Sequence, residues 1–206
     1  MARPRFADID TDTVERILAA AEAAFAHNGY AGTRLEDVAT TAGVRRSSLL
    51  YHFGSKDQLY AVTVRRVFDG LRDALVHAMS SAGTFEQRMD ATVRDYVAFL
   101  VAHPHLARIF LREVLDPVGP GRALIEKEVA PLIELGERFL REEGGAKLAP
   151  GIDLRGALLV VVGGAVLYAI AGELRPVLWG NTSSAKFVTN VQSYSRDMIL
   201  KKRSRA

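Results

Sequence analysis

Apolar positions fall at helical spacing along the chain. Val14, Ile17, Leu18, Ala21, Ala24 and Phe25 make one continuous face and predict a helix over 13–28. Asp12 is expected as its N-cap, with Glu15 completing the pair and Gly29 as the stop. Leu35, Val38, Ala39 and Ala42 follow the i, i+3, i+4, i+7 pattern of a second, short helix, opened by Thr33 with Glu36 three residues on. Gly43 supplies a left-handed turn with Val44 packed under the corner, and Leu49 and Phe53 face inward from a third helix over 46–53. Ser55 and Gln58 cap a longer helix to about residue 79, carrying Leu59, Val62, Arg66, Val67, Leu71 and Leu75. Tyr30 and Leu35 are expected to help close a three-helix core with Val44, Leu49 and Phe53.

The remainder is also helical in pattern. Thr84 with Gln87 caps a helix through Phe85, Met89, Val93, Tyr96, Val97 and Leu100. Pro104 starts another through Leu106, Ile109, Phe110 and Val114, and residues 116–121 form a loop. A helix over 122–143 contains Pro131, which predicts a kink or break. Asp153 caps an apolar helix over 154–174, and a last helix spans 184–200. The expected fold is therefore all-α, with about nine helices. The 154–174 segment has no charge between Arg155 and Glu173, which is short for a bilayer span. A helix apolar all round is otherwise a buried one, in a core or a dimer interface, so no membrane span is expected.

Charge and side-chain chemistry single out the region after Gly43. The outer face of the 46–53 helix carries Arg46, Ser47, Ser48, Tyr51 and His52, all hydrogen-bonding groups. Two short helices joined by a glycine turn, the second polar outside, form a helix-turn-helix DNA reader. Residues 1–56 hold seven Lys/Arg and seven Asp/Glu, so bulk charge does not argue for DNA binding. Placement does, because four of those cations and only two of the acids lie within 34–56. Arg3 and Arg5 before the first helix, and the basic residues of 201–205, read first as solvated termini.

The run GVRRSSLLYHFGSKDQL over 43–59, with FAHNGY over 25–30 upstream, resembles the DNA-binding segment of TetR-family transcriptional regulators. The specific likeness covers about the first quarter of the chain; beyond it only length and helical pattern agree. The resemblance implies a DNA-binding domain over 1–54 and a ligand-binding and dimerisation domain over 55–206. It implies a homodimer through the last two long helices, about 154–174 and 184–200, and a fourth helix that transmits ligand binding to the heads. Arg34, Arg45, Tyr51, His52 and Lys56 are expected mainly to hold phosphates, with Arg46 reading guanine and Ser47 and Ser48 as shorter readers. Tyr96, Phe110 and Tyr168 are pocket candidates for a small, mostly apolar effector, against a reading as plain core aromatics. Arg45 stands where the family usually has a capping serine, Ser47 where glycine or proline is common, and Ser48 where threonine is. Leu50 replaces a frequent aromatic.

Composition narrows the alternatives. The apolar share of 49% in 206 residues supports a real core, and net charge is a mild +3. Absence of cysteine excludes disulfides and thiolate metal sites and fits a reducing compartment. The first ten residues lack an apolar signal core, so a cytoplasmic protein is expected. Ser47, Ser48 and His52 lack the strained elbow and paired acid of a nucleophile, and His103 and His105 are not spaced as metal ligands on one helix face. No cofactor, metal or catalytic residue is expected. The expectation is a homodimeric repressor of a near-palindromic double-stranded operator, controlled by an unidentified effector. Its rivals are a DNA-binding regulator controlled by a protein partner and, further off, a helical enzyme.

Overall fold

The computed structural model describes residues 6–115, 123 and 125–201, and their regular structure is helical, with one isolated bridge between Leu148 and Leu200. Arg3, Arg5, the 116–121 loop, Arg122 at the expected start of a helix and tail residues 202–205 lie outside the described residues. Ten α-helices are present among the described residues. They are α1 (Phe6–Gly32), α2 (Leu35–Thr41), α3 (Arg46–Phe53), α4 (Lys56–Ser80), α5 (Phe85–Ala102), α6 (Pro104–Leu115), α7 (Ala130–Gly144), α8 (Leu154–Ile170), α9 (Arg175–Trp179) and α10 (Ser184–Ile199). A π-helical turn, Ile125–Val129, leads into α7. Pro131 follows in the first turn of α7, where the helical path passes from π to α geometry. The expected break is thus realised as a change of helix type.

Helix α1 begins well before Asp12, so Asp12 is not an N-cap; it pairs along the helix with Arg16 at 3.1 Å. Glu15 reaches Arg66 of α4 at 2.5 Å. Gly29, at φ 71°, breaks the helical path as expected. Thr33 does not cap α2 either. It is buried, and its hydroxyl donates to the Gly29 and Ala24 carbonyls at 2.7 and 3.2 Å, tying the end of α1 to the start of α2. Ser55 does cap α4, accepting from the Gln58 N–H at 3.2 Å. Thr84 and Gln87 form the complete reciprocal capping box of α5.

Ile17, Ala21 and Phe25 of α1, Val38 and Ala39 of α2, and Leu49 and Phe53 of α3 bury the head's core against Leu59, Tyr60 and Val64 of α4. Tyr30, Leu35 and Val44 pack on its rim. Val62 is largely exposed; Thr63 is buried on α4 instead, its hydroxyl donating to the Leu59 carbonyl at 2.7 Å. Val114 likewise lies outside the core, half exposed near the end of α6.

Helix α4 continues into the body, where it packs on α5, α6 and the π-turn, while α7 and α8 pack on α5 and on each other and α8 also on α6. The expected 154–174 helix stops at Ile170, and α9 follows at an angle of 108°. Gly172, at φ 52°, makes the bend. No single helix among the described residues is long and apolar enough to cross a membrane. Removing one hydroxyl from the α5 cap, in Thr84→Ala, should cost about 1 kcal/mol. That is a fall of roughly 2–4 °C in a chain of this size. An unchanged thermal melt would show that the box carries no net stability.

Candidate nucleic-acid interface and body cavity

The turn between α2 and α3 is built from backbone geometry that only glycine adopts without strain. The Gly43 N–H bonds the Thr40 carbonyl at 3.1 Å and the Val44 N–H the Ala39 carbonyl at 2.9 Å, with Gly43 at φ 67°. Arg16 reaches across from α1 to the Ala42 carbonyl at 3.1 Å, closing the C-terminal end of α2. Arg45 takes the N-cap position of α3 in extended conformation and makes no side-chain cap. The start of α3 therefore offers N–H groups and positive dipole to an anion.

With Leu49 and Phe53 turned inward, Arg45, Arg46, Ser47 and Tyr51 are exposed, while Ser48 and His52 are half-buried on the same short helix. Arg34 is exposed where the chain enters α2. Arg46 is engaged: its Nε lies 2.7 Å from Glu36 of α2. Glu36, expected in a capping pair with Thr33, pairs with an arginine of α3 instead. The pairing joins two helices, so no periodicity within either one announces it. Lys56 also differs from a free surface cation. Its ammonium donates to the Ala31 carbonyl at 3.3 Å and sits 4.6 Å from the centre of the Tyr30 ring. Tyr30 in turn donates to Asp57, and that bond, with some burial, pushes its phenol up to about 12.

Within the body, α4, α5, α6, α7, α8 and the π-turn enclose a cavity of about 120 Å³. Phe68 and Leu71 line it from α4, Thr92 and Tyr96 from α5, Leu106 and Phe110 from α6, and Val162 and Val166 from α8. Of the three pocket candidates, Tyr96 and Phe110 line this cavity and Tyr168 does not. It lies on the side of α8 facing α10, stacked on Phe187 at 3.8 Å and edge-on to Trp179 at 5.3 Å. Its hydroxyl meets Ser184 at 3.1 Å, and the Arg175 guanidinium lies 4.7 Å from its ring. A helix apolar on every side gives no sequence signal for which face turns toward a cavity.

Helix α8 buries Leu154, Ala157, Ala165 and Val166 yet exposes Leu159, Val160 and Leu167 on its other side. Gly163 and Gly164 lie between them with nothing within 4 Å of where a Cβ would stand. Val177 and Leu178 of α9 and Tyr194 of α10 are exposed as well. Among the described residues, no group of three or more His, Asp or Glu side chains is placed to hold a metal ion.

Residues 17–63 match the family model described as bacterial regulatory proteins, tetR family. The chain is 31% identical over 126 residues to the HTH-type transcriptional regulator RutR of Escherichia coli (strain K12), the match covering 55% of this chain. It spans 57% of that relative's length, little more than half. The fold resembles the fatty acid degradation regulator FadR from Bacillus halodurans, with TM-score 0.73 and 19% identity over 89% of this chain and 94% of that one. It also resembles the transcriptional regulator FadR from Bacillus subtilis in complex with stearoyl-CoA, with TM-score 0.71 and 15% identity over 88% and 96% of the two chains. At such identities the likeness is one of fold.

A side chain at Gly43 has to adopt a left-handed conformation and sit 3.4 Å from the Arg16 guanidinium. Gly43→Ala should therefore destabilise the fold by about 1–2 kcal/mol, read as a lower denaturant midpoint. A midpoint equal to that of the parent chain would show that the turn tolerates other geometries.

Proposed function

We propose that the chain, whose residues 17–63 match the model of the tetR family of bacterial regulatory proteins, is a transcriptional repressor of that family. On this reading it binds a near-palindromic operator as a homodimer, and a small, mostly apolar effector in the body cavity sets its affinity for DNA. The observation that carries the reading is the polar outer face of α3, with Arg46 presented beyond a buried helix-turn-helix core.

Phosphate contacts supply affinity and base edges supply sequence choice. The free N–H groups at the start of α3, with Arg34, Arg45, Tyr51 and His52, suit phosphates. Glu36 approaches Arg46 at its Nε, and the two terminal nitrogens suit an end-on bidentate contact with guanine O6 and N7. Lys56, held on α1 by Ala31 and Tyr30, braces the head and contributes its charge from there. Two α3 helices of a dimer would enter successive major grooves about 34–36 Å apart.

The open apolar side of α8 supports dimerisation, since Leu159, Val160 and Leu167 around Gly163 and Gly164 allow a second helix to approach closely. The cavity supports effector control, because α6 contributes Phe110 to its lining and, within the next turn, Arg112 and Glu113 to contacts with the head. An effector acts by binding one arrangement of these helices better than another.

Operator binding is tested by selecting sites from random DNA and titrating them by fluorescence anisotropy across a salt series. Arg46→Ala should weaken the selected site by about 1–3 kcal/mol and relax preference at one base pair. Arg34→Ala should weaken all sequences alike and lower the salt slope by about one. Selection that yields no preferred sequence would remove the operator reading. For the dimer, Val160→Glu should convert the sedimenting species to monomer with helix content retained. A dimer that survives it places the interface elsewhere.

A further inference from the structure

We infer that the body cavity takes an uncharged, largely apolar ligand bearing one hydrogen-bonding group, and that the Tyr96 hydroxyl is the partner of that group. The inference deepens the proposed effector reading and rests on it for the cavity's role. Thr92 and Tyr96 are the two side chains with a hydroxyl among the described lining residues, and none of those residues is charged. Thr92 is committed, its hydroxyl donating to the Arg88 carbonyl at 2.8 Å. The Tyr96 hydroxyl has no hydrogen-bond partner among the described residues. Burial holds its phenol above the ordinary range, so it stays protonated and able to donate.

The nearest buried acids do not supply charge to this space. Glu113 accepts from Tyr60, and Glu128, in the π-turn, faces Arg65 and Arg72 at 3.8 and 3.7 Å. Neither is part of the lining. A ligand carboxylate or ammonium inside the cavity would lose its hydration without gaining a counter-ion among the described lining residues, which disfavours both. An apolar wall discriminates weakly between carbon skeletons that differ by a methylene, whereas an unmatched polar group is rejected sharply. The site should therefore be tolerant of chain length and branching and intolerant of charge.

The test uses four polar probes of one chain length on the full protein, each below its micellar range (1-decanol, methyl decanoate, decanoate and decylamine), with decane as the apolar control. Binding is read by calorimetry and by melting followed with circular dichroism. Decanol and the ester should bind and raise the melting temperature, while the acid and amine at the same concentration leave it unchanged. Tyr96→Phe, which preserves the ring, should weaken decanol binding about three- to tenfold and leave decane binding as it was. Equal binding of an acid or amine, an unchanged decanol affinity in the Phe variant, or no binding of either neutral probe would overturn the inference. A parallel operator titration separates the two levels. Decanol that binds without altering DNA affinity leaves the ligand class standing and removes the regulatory reading. Operator release by decanoate and not by decanol does the reverse.

Discussion

The head and the body are held in one arrangement by the end of α6. Arg112 donates to the carbonyls of Ala26 and His27 at 3.2 and 2.5 Å, the last turn of α1 before Gly29 interrupts it. Those carbonyls have no continuing helix to accept from, so a guanidinium is a natural terminus for them. Beside it, the buried carboxylate of Glu113 accepts from Tyr60, whose phenol is pushed above its usual range first by burial and then by this bond. Tyr60 packs edge-on to Phe25 and Tyr30 at 4.8 and 5.1 Å, in the core of the head. Hydrogen bonds to charged groups are individually worth about 1.5–3 kcal/mol, and a buried acid without its donor costs at least as much. The orientation of α1 on α6 is thus fixed by a few directional bonds and not by apolar contact alone.

A second constraint comes from α8. Its core side fills the body, and its other side leaves Leu159, Val160 and Leu167 in solvent around two glycines. Glycine within a helix costs about 1 kcal/mol relative to alanine, and here no side chain of the described residues takes the space. The arrangement makes physical sense when another helix lies in the notch, which is why the proposed dimer and the charge-free run of α8 after Arg155 are one argument.

Periodicity and capping chemistry made most of the architecture legible before any coordinates. Gly43, Ser55, Thr84 and Asp153 act locally, and each ends or starts its helix where its spacing says. Errors arose where tertiary bonds displaced local ones. Thr33 and Glu36 have the spacing of a capping pair, but the hydroxyl turns back to α1 and the carboxylate crosses to Arg46. Asp12 gave up a cap for an ion pair because α1 extends past it. Lys56, expected mainly to hold phosphate, is also held by an aromatic ring and a carbonyl that no local spacing announces. Tyr168 could not be assigned to a face at all, since every side of α8 is apolar and the periodic signal is flat.

The placement of the cavity relative to the α6 link gives the proposed control its geometry. Helix α4 contributes Leu59, Tyr60 and Val64 to the head and Phe68, Leu71 and Leu75 to the cavity without interruption. Helix α6 contributes Leu106 and Phe110 to the same cavity and Arg112 and Glu113 to the head. The cavity is therefore bordered by the two helices that also hold the head. A ligand that fills it cannot move one helix against the other without straining either the Arg112 bonds to α1 or the Tyr60–Glu113 pair. Packed interiors respond to such strain by changing between discrete arrangements more readily than by bending. On the proposed control the head would tilt as a unit, because its own core and the Glu36–Arg46 and Lys56–Tyr30 contacts lie within it.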